Sequence, residues 1–372
     1  MTLAFEQGPI RPPSEANSLL IRVTRNCPWN KCAFCNAYKG TKFSLRSVED
    51  IKEDIDKIAA MSQMLKQAFL TNGKLPAQLY HSGEYQLYQV ASWLAGGGKT
   101  VFLQDGNSLL LKTADLLEVL NYLKEKLPTV ERVTSYARSD SLARKSVEEL
   151  VQLKEAGLSR LHVGLESGSD EVLKFMNKGV TAQQHIEAGQ RVKASGISLS
   201  EYVLLGLGGR RWAYEHPFET ARVLNAINPD YIRVRTLAIV ENTPLYTMWQ
   251  QGEFEEQPDD KQVEEEKVLI ENLDGIDSTL VSDHSMNLLA EINGKFPEDK
   301  PAMLQIIDRF LNLPQTEKEN FILGRRWGLY FRLDDLKDRA RYTQVQKTLE
   351  KLKAEGTLEA ALANLKYQMV RV

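Results

Sequence analysis

Ser18-Leu19-Leu20-Ile21-Arg22-Val23-Thr24-Arg25-Asn26-Cys27-Pro28-Trp29-Asn30-Lys31-Cys32-Ala33-Phe34-Cys35 joins an apolar run to a loop that holds all three cysteines of a 372-residue chain. The run has the length and composition of a strand, so the cysteines follow directly on a strand's C-terminal end. An odd number of thiols packed this tightly has no stable disulfide pairing. Pro28, Asn30 and Lys31 give the loop neither a helical nor a strand period, which argues against three buried apolar cysteines. The pattern therefore predicts a metal centre. A closed structural site usually takes four protein ligands, whereas three thiolates on a four-iron cluster leave one iron open to a small molecule.

Outward from this loop the chain alternates. Ser47 opens a helical pattern through Ile51, Ile55, Ile58 and Met61 to Phe69, broken by Asn72-Gly73 and Pro76, and a shorter helix over 85–94 ends at Gly96-Gly97-Gly98. Strands predicted at 100–103, 132–135, 160–165, 199–207 and 231–239 are separated by helices at 113–127, 146–156, 182–194 and 215–227. Such repetition, with strands apolar on both faces, predicts an α/β fold with a parallel sheet, closed into a barrel or wound on two faces. In either form ligands bind at the C-terminal ends of the strands.

Past Asn242 the pattern changes. The acidic run 253–266 leads into a helix ending near Leu273, residues 278–282 read as one more short strand, and Asp283-His284-Ser285-Met286-Asn287 follows it. From Pro301 onward the chain reads as helical. The expected organisation is an N-terminal arm over 1–15, a barrel-sized domain over 16–246 and a mostly helical C-terminal extension over 247–372.

With 42% hydrophobic and 26% charged residues and a net charge of -3, the composition fits a large core under a mixed surface and requires no polyanionic partner. Residues 1–14 lack a basic start and a long apolar stretch, and no segment approaches the roughly 20 apolar residues of a membrane span. The reading is a cytoplasmic enzyme with no membrane segment.

Three segments at strand ends carry a family resemblance. They are the cysteine loop after the first strand, Gln104-Asp105-Gly106-Asn107 after the second, and Val163-Gly164-Leu165-Glu166-Ser167-Gly168 after the fourth. Together they resemble the radical S-adenosylmethionine (radical SAM) superfamily over about 18–246, and 136–209 is similar to the core shared by coproporphyrinogen dehydrogenases and methylthiotransferases. The resemblance implies a partial (β/α)6 TIM-type barrel. It also implies one 4Fe-4S cluster on Cys27, Cys32 and Cys35, and S-adenosylmethionine chelated to the fourth iron. The superfamily's usual motif has three residues between its first two cysteines; here there are four, Pro28 to Lys31.

The same resemblance assigns cofactor contacts. Phe34 stands where an aromatic residue packs near the adenine, and Gln104, Asp105 and Gly106 where the ammonium group is accepted. Ser135 and Arg138 follow the third strand, Arg138 suiting a carboxylate through paired hydrogen bonds. Glu166 stands where ribose hydroxyls are bound and Lys178 where the methionyl carboxylate is met. Leu205 and Gly206 open a glycine-rich turn that lets backbone approach a flat ligand; it lacks the full dinucleotide fingerprint, so a Rossmann reading is rejected. For most of these a plain structural role is the competing reading: a turn at Asp105-Gly106, a surface arginine at 138, a helix-end lysine at 178.

Candidates for substrate chemistry are Tyr136, Arg235 and His284. Arg233 and Arg235 alternate on one strand and share a face, which would meet an anionic substrate if it points inward. Tyr80-His81-Ser82-Gly83-Glu84-Tyr85 is a polar, aromatic loop that could cap the substrate space. His162 reads as structural. The function implied is reductive cleavage of S-adenosylmethionine to a 5'-deoxyadenosyl radical that abstracts hydrogen from a small-molecule substrate, with flavodoxin or ferredoxin as reducing partner. Modification of RNA or a peptide, or cleavage of a different carbon–sulfur bond, is the alternative within the family, with Arg339, Arg341, Lys347, Lys351 and Lys353 as a docking surface. A non-catalytic zinc protein is the alternative outside it.

Overall fold

The computed structural model describes residues 4–72 and 85–370, so the expected capping loop around His81 lies outside the described residues. The chain divides into two compact units. The first comprises 1–30, 37–163 and 191–199, and the second 31–36, 164–190 and 200–372.

In the first unit, β1 (Leu19–Arg22), β2 (Thr100–Gln104), β3 (Arg132–Ala137) and β4 (Leu158–Glu166, through Val163) lie side by side in that order, all parallel. Leu19 pairs with Val101 and Arg22 with Gln104, so the end of β1 and the end of β2 are level. That register places the cysteine loop and the Gln104–Asn107 turn at one edge of the sheet. The helices α1 (Val48–Asn72), α2 (Tyr85–Ala95), α3 (Thr113–Lys126) and α4 (Val147–Glu155) supply the crossovers, with α1 packed on α2 and α3. Their apolar faces are buried as the 3.6-residue period requires: Ile51, Ile55 and Ile58 on α1, Leu116, Val119, Leu120 and Leu123 on α3. The Ser47 hydroxyl accepts from the Asp50 N–H at 3.1 Å and caps α1.

The N-terminal arm is part of this unit rather than a loose appendage. Glu15 is fully buried and receives both Arg132 Nη atoms at 2.8 Å, the Ser18 hydroxyl at 2.6 Å and His162 Nε2 at 3.4 Å. Burial alone would raise its pKa, but these hydrogen bonds outweigh it and hold the carboxyl at about 2. His162, buried against this carboxylate, has the structural role its position within a strand predicts.

The second unit begins its sheet with β5 (Ser198–Leu205, from Ser200), which pairs in parallel with β6 (Tyr231–Thr236). This in turn pairs with β7 (Thr279–Val281), and a two-residue strand β8 (Gly294–Lys295) closes antiparallel on β7. Around these run α5 (Ala182–Ala194), α6 (Glu215–Ile227), α7 (Pro244–Gln250), α8 (Asp259–Asn272), α9 (Lys300–Leu311), α10 (Gln315–Arg326), α11 (Arg339–Ala354) and α12 (Leu358–Val370). Helix α8 packs on α6 and α9, and α10 on α11 and α12.

Regular strand structure stops earlier than the apolar runs. Gly206 takes φ +82° and ends β5 at Leu205, and β6 ends at Thr236, with one last bond from the Leu237 N–H to the Leu205 carbonyl at 2.9 Å. After β1, Thr24–Arg25 pairs antiparallel with Ser44–Leu45, a ribbon that returns the cysteine loop to the sheet.

Candidate functional site

The first unit carries the start of the cysteine loop. Asn26 and Asn30 adopt φ of +68° and +44°, a left-handed conformation that asparagine tolerates, and this turns the chain on either side of Cys27. The Asn26 N–H donates to Asp105 Oδ2 at 3.0 Å, and its side-chain amide donates to the Lys42 carbonyl at 2.6 Å. Asp105 Oδ2 also receives Arg22 through Nη2 at 2.6 Å and Nε at 2.8 Å. A Cβ on Gly106 would come 3.3 Å from Cys27 Cβ, so the turn after β2 presses directly on the first cysteine.

The Asp105 side chain is fully buried, and its Oδ1 has no hydrogen-bond partner. The Tyr38 hydroxyl, also buried, lies close to this carboxylate, and burial, followed by the charge of Asp105, raises its pKa. The Gln104 side chain is committed to the arm, donating to the carbonyls of Gly8 at 3.0 Å and Ile10 at 2.8 Å. Ser135 spends its hydroxyl on the carbonyls of Leu103 and Tyr136. Tyr136 stands edge-on to Phe102 with ring centroids 5.0 Å apart. Arg138, buried, pairs with Asp140 at 3.2 Å and lies 5.7 Å from the ring of Trp29 in the cysteine loop.

The second unit holds the rest of the loop. Ala33 donates its N–H to the Met176 carbonyl at 2.8 Å and accepts from the Leu245 N–H at 3.0 Å, which fixes the backbone between Cys32 and Cys35. Cys32 is buried and Cys35 half-buried. The next residue, Phe34, meets the Lys178 ammonium at 6.0 Å from its ring centroid, and Lys178 Nζ lies 3.1 Å from Glu166 Oε1. Three residues far apart in sequence thus converge. Glu166 itself has φ +64°, strained for a non-glycine residue, and its carboxylate lies over Gly164, where any side chain would collide with it.

Glu201 was not foreseen as a site residue. It is wholly buried on β5, its Oε2 lacks a partner, and burial raises its pKa well above the usual value, with Lys178 lowering it and Glu166 raising it. The only sequence signal was a carboxylate inside a mostly apolar strand.

Beneath the glycine turn lies a buried relay. Ser167 Oγ is 2.8 Å from His216 Nδ1, and His216 Nε2 is 3.1 Å from the Leu204 carbonyl and 3.4 Å from Glu265 Oε1, which accepts from the Gly206 N–H at 2.8 Å. Burial lowers the His216 pKa to about 4 and raises that of Glu265 to about 8, so both are neutral at pH 7. The relay ties the loop after Glu166 to the Leu205-Gly206 turn.

At the ends of β6 and β7, Arg233 and Arg235 both pair with Asp283, Arg235 at 3.3 Å. His284 Nδ1 accepts from the Thr236 N–H at 3.3 Å.

Parallel strands joined by helices, with the cysteine loop following the first of them, define an α/β fold of the kind whose ligands bind at the C-terminal ends of the strands. The sequence signature of the Radical SAM superfamily matches residues 21–216, more than half of the chain, and the chain belongs to that superfamily. It is 27% identical over 128 residues to the tRNA uridine(34) acetyltransferase of Methanocaldococcus infernus, covering 34% of this chain and 23% of that one. It is 23% identical over 178 residues to the heme chaperone HemW of Bacillus subtilis, covering 47% and 46%. A third relative is the tRNA-2-methylthio-N(6)-dimethylallyladenosine synthase of Alkalilimnicola ehrlichii, 39% identical over 95 residues, covering 25% and 19%. The chain thus spans a fifth to a half of these relatives' length. Among solved structures it is similar to methylornithine synthase (TM-score 0.44, 15% identity, 77% and 68% covered). Coproporphyrinogen III oxidase from Escherichia coli gives TM-score 0.44, 15% identity, and 69% and 52% covered.

Membership implies a 4Fe-4S cluster and S-adenosylmethionine. The residues present fit both: three thiols within nine residues, no disulfide between them, and a buried, unpaired Asp105 Oδ1 held against the loop's own first turn. Among the described residues no three His, Cys, Asp or Glu side chains gather around a point that would suit a single metal ion. None of the helices described is long and apolar enough to cross a membrane.

Proposed function

We propose that Cys27, Cys32 and Cys35 hold one 4Fe-4S cluster and that the enzyme abstracts hydrogen from a small-molecule substrate. One electron delivered through such a cluster would break a carbon–sulfur bond of bound S-adenosylmethionine, releasing methionine and leaving a 5'-deoxyadenosyl radical. The convergence of Phe34, Glu166 and Lys178 supports this reading, because an aromatic face, a hydrogen-bond acceptor and a cation side by side are the groups that a nucleoside bearing an amino-acid tail would use.

Each residue then has a task. Phe34 packs the adenine, Glu166 accepts from the ribose hydroxyls, Lys178 meets the carboxylate of the tail, and Asp105 Oδ1 accepts from its ammonium. Asp105 Oδ2 meanwhile holds Asn26, and through it the approach to Cys27. The relay from Ser167 to Glu265 fixes the Gly206 turn so that its backbone can lie along the base. The electron comes from flavodoxin or ferredoxin.

A small substrate is favoured over RNA by the state of the C-terminal charges, although two of the relatives are named as tRNA enzymes. Arg341 pairs with Asp335 and Asp338, Lys351 with Glu355 and Lys353 with Glu319, so three of the five basic residues of this stretch, Arg339 and Lys347 being the other two, are engaged by acids rather than held ready for a polyanion.

The test is anaerobic reconstitution with iron and sulfide, reduction by dithionite and addition of S-adenosylmethionine. About four irons per chain and release of 5'-deoxyadenosine are expected. A colourless protein holding one zinc, or an intact cluster that yields no 5'-deoxyadenosine, refutes the proposal.

A further inference from the structure

The ends of β6 and β7 carry a charge that the site described above does not use. Arg233 and Arg235 are alternate residues of β6, opposite Tyr202 and Leu204 of β5 in the ladder, so both side chains lie on the face of Tyr202. The Arg235 guanidinium stands 5.1 Å from the Tyr202 ring centroid. Both arginines reach one carboxylate, Asp283, in the turn after β7.

Two guanidiniums against one carboxylate leave a positive charge over. Arg326, whose charge bears on His284, is gripped by Asp259 at 2.7 and 3.1 Å, and Asp259 also takes Lys366 at 2.9 Å, so this carboxylate has none of its charge to spare for Arg233 or Arg235. Arg233 is buried, and its Nε has no hydrogen-bond partner. A buried guanidinium donor left unpaired costs free energy that a ligand oxygen would recover.

His284 adds a second donor. Its Nδ1 accepts from the Thr236 N–H, so the proton of the neutral ring sits on Nε2. The ring stays neutral because burial, and then the charge of Arg235, lower its pKa to about 4. The position is also the one at which α/β enzymes bind ligands, the C-terminal ends of neighbouring strands.

We infer that Arg233, Arg235 and His284 form an oxyanion site that recognises a carboxylate or phosphate group of the substrate, with Asp283 holding the two arginines in place until the ligand arrives. The substrate is then an anionic small molecule. Its role as substrate rests on the radical chemistry proposed above; the anion site itself does not.

The shared chemistry is a compact oxyanion presented to two guanidiniums, and two probes separate its sources. Reconstituted protein is titrated calorimetrically with succinate and with inorganic phosphate at low salt, with putrescine as a cationic control, in the presence and absence of saturating S-adenosylmethionine. At least one anion is expected to bind in both conditions and putrescine in neither, and the tighter anion names the class. Arg235→Met should weaken that binding about tenfold or more, the loss of a charge-assisted pair. Asp283→Asn should tighten it, because the internal competitor is gone while the shape is kept. This second variant decides the matter if the first is poorly folded.

Absence of anion binding to the unaltered protein overturns the inference, as does binding that Asp283→Asn leaves unchanged or weakens. An anion that binds only when S-adenosylmethionine is absent is occupying the cofactor's place and overturns it too. None of these readings depends on turnover, so the radical proposal and the anion site can fail separately.

Discussion

Lys178 Nζ lies 3.1 Å from Glu166 Oε1, with the Phe34 ring 6.0 Å from the same ammonium. Twelve residues separate the lysine from the glutamate, and the phenylalanine comes from the cysteine loop. Both charged side chains are mostly withdrawn from water, yet their opposite charges offset each other, so the cluster is arranged in advance for a ligand that carries both signs.

Removing either charge should therefore affect ligand binding more than folding. Lys178→Met and Glu166→Gln are each expected to weaken S-adenosylmethionine binding by roughly ten- to a hundredfold, the scale of one lost charge-assisted hydrogen bond in a water-poor site. Equilibrium dialysis of reconstituted protein measures this. Affinities unchanged in both variants would remove the cluster from the cofactor site.

Asp105 is predicted to matter for cluster retention as well as stability. Asp105→Asn keeps the shape but removes the charge that faces Arg22 and weakens the acceptor for the Asn26 N–H. Glu6, 3.0 Å from Arg22, compensates in part. A loss of about 2–3 kcal/mol in denaturant unfolding is expected, less than for a fully isolated buried charge. Iron per chain should fall with it, and iron content equal to that of the unaltered protein would show that the loop does not depend on this anchor.

Enlarging Gly106 should strike the first cysteine and the Asn26 carbonyl before it. Gly106→Val sets a branched side chain against Cys27 Cβ, already 3.3 Å from where a first carbon would stand. Iron loading is expected to drop by about half or more with far-ultraviolet circular dichroism unchanged. Full loading would place the loop elsewhere.

The buried Glu265 predicts an unusual pH dependence. Its pKa, about 8 in the folded chain against 4.5 ordinarily, means that the folded state holds the proton more tightly than the unfolded state between those values. Stability should then fall as pH rises from about 4.5 to 8 and level off above, by on the order of a few kcal/mol. Neighbouring Glu266, also raised to about 8, acts in the same direction. Glu265→Gln cannot ionise, so its urea midpoint should vary less with pH over this window; an equal slope in both proteins would contradict the assignment.

Much of the fold was legible because it rests on local periodicity. The alternation of apolar strands and amphipathic helices predicted the longer elements as far as β6, the C-terminal helices were read only as one helical stretch from Pro301 onward, and the Ser47 cap is where its side-chain chemistry requires it. The strand ends at Leu205 and Thr236 were not legible: apolar residues continue beyond both, and β5 stops only because Gly206 turns at positive φ, which leaves β6 no partner past the Leu237 N–H. The antiparallel strand at Gly294–Lys295 is too short to have a period at all.

Of the candidate site, the sequence alone determined what depends on residue type and adjacency: three thiols in one loop after a strand, and the residues that end the neighbouring strands. Only tertiary structure decided what depends on convergence across long separations. It brought Lys178 to Glu166 and Phe34, turned Gln104 toward the arm at Gly8, and buried the carboxyls of Glu201 and Glu265. It also balanced two arginines on the single carboxylate of Asp283. The physical reason is range. Periodicity and capping act over a few residues and are written in the chain, whereas burial and charge balance are properties of neighbours that the chain meets only when folded.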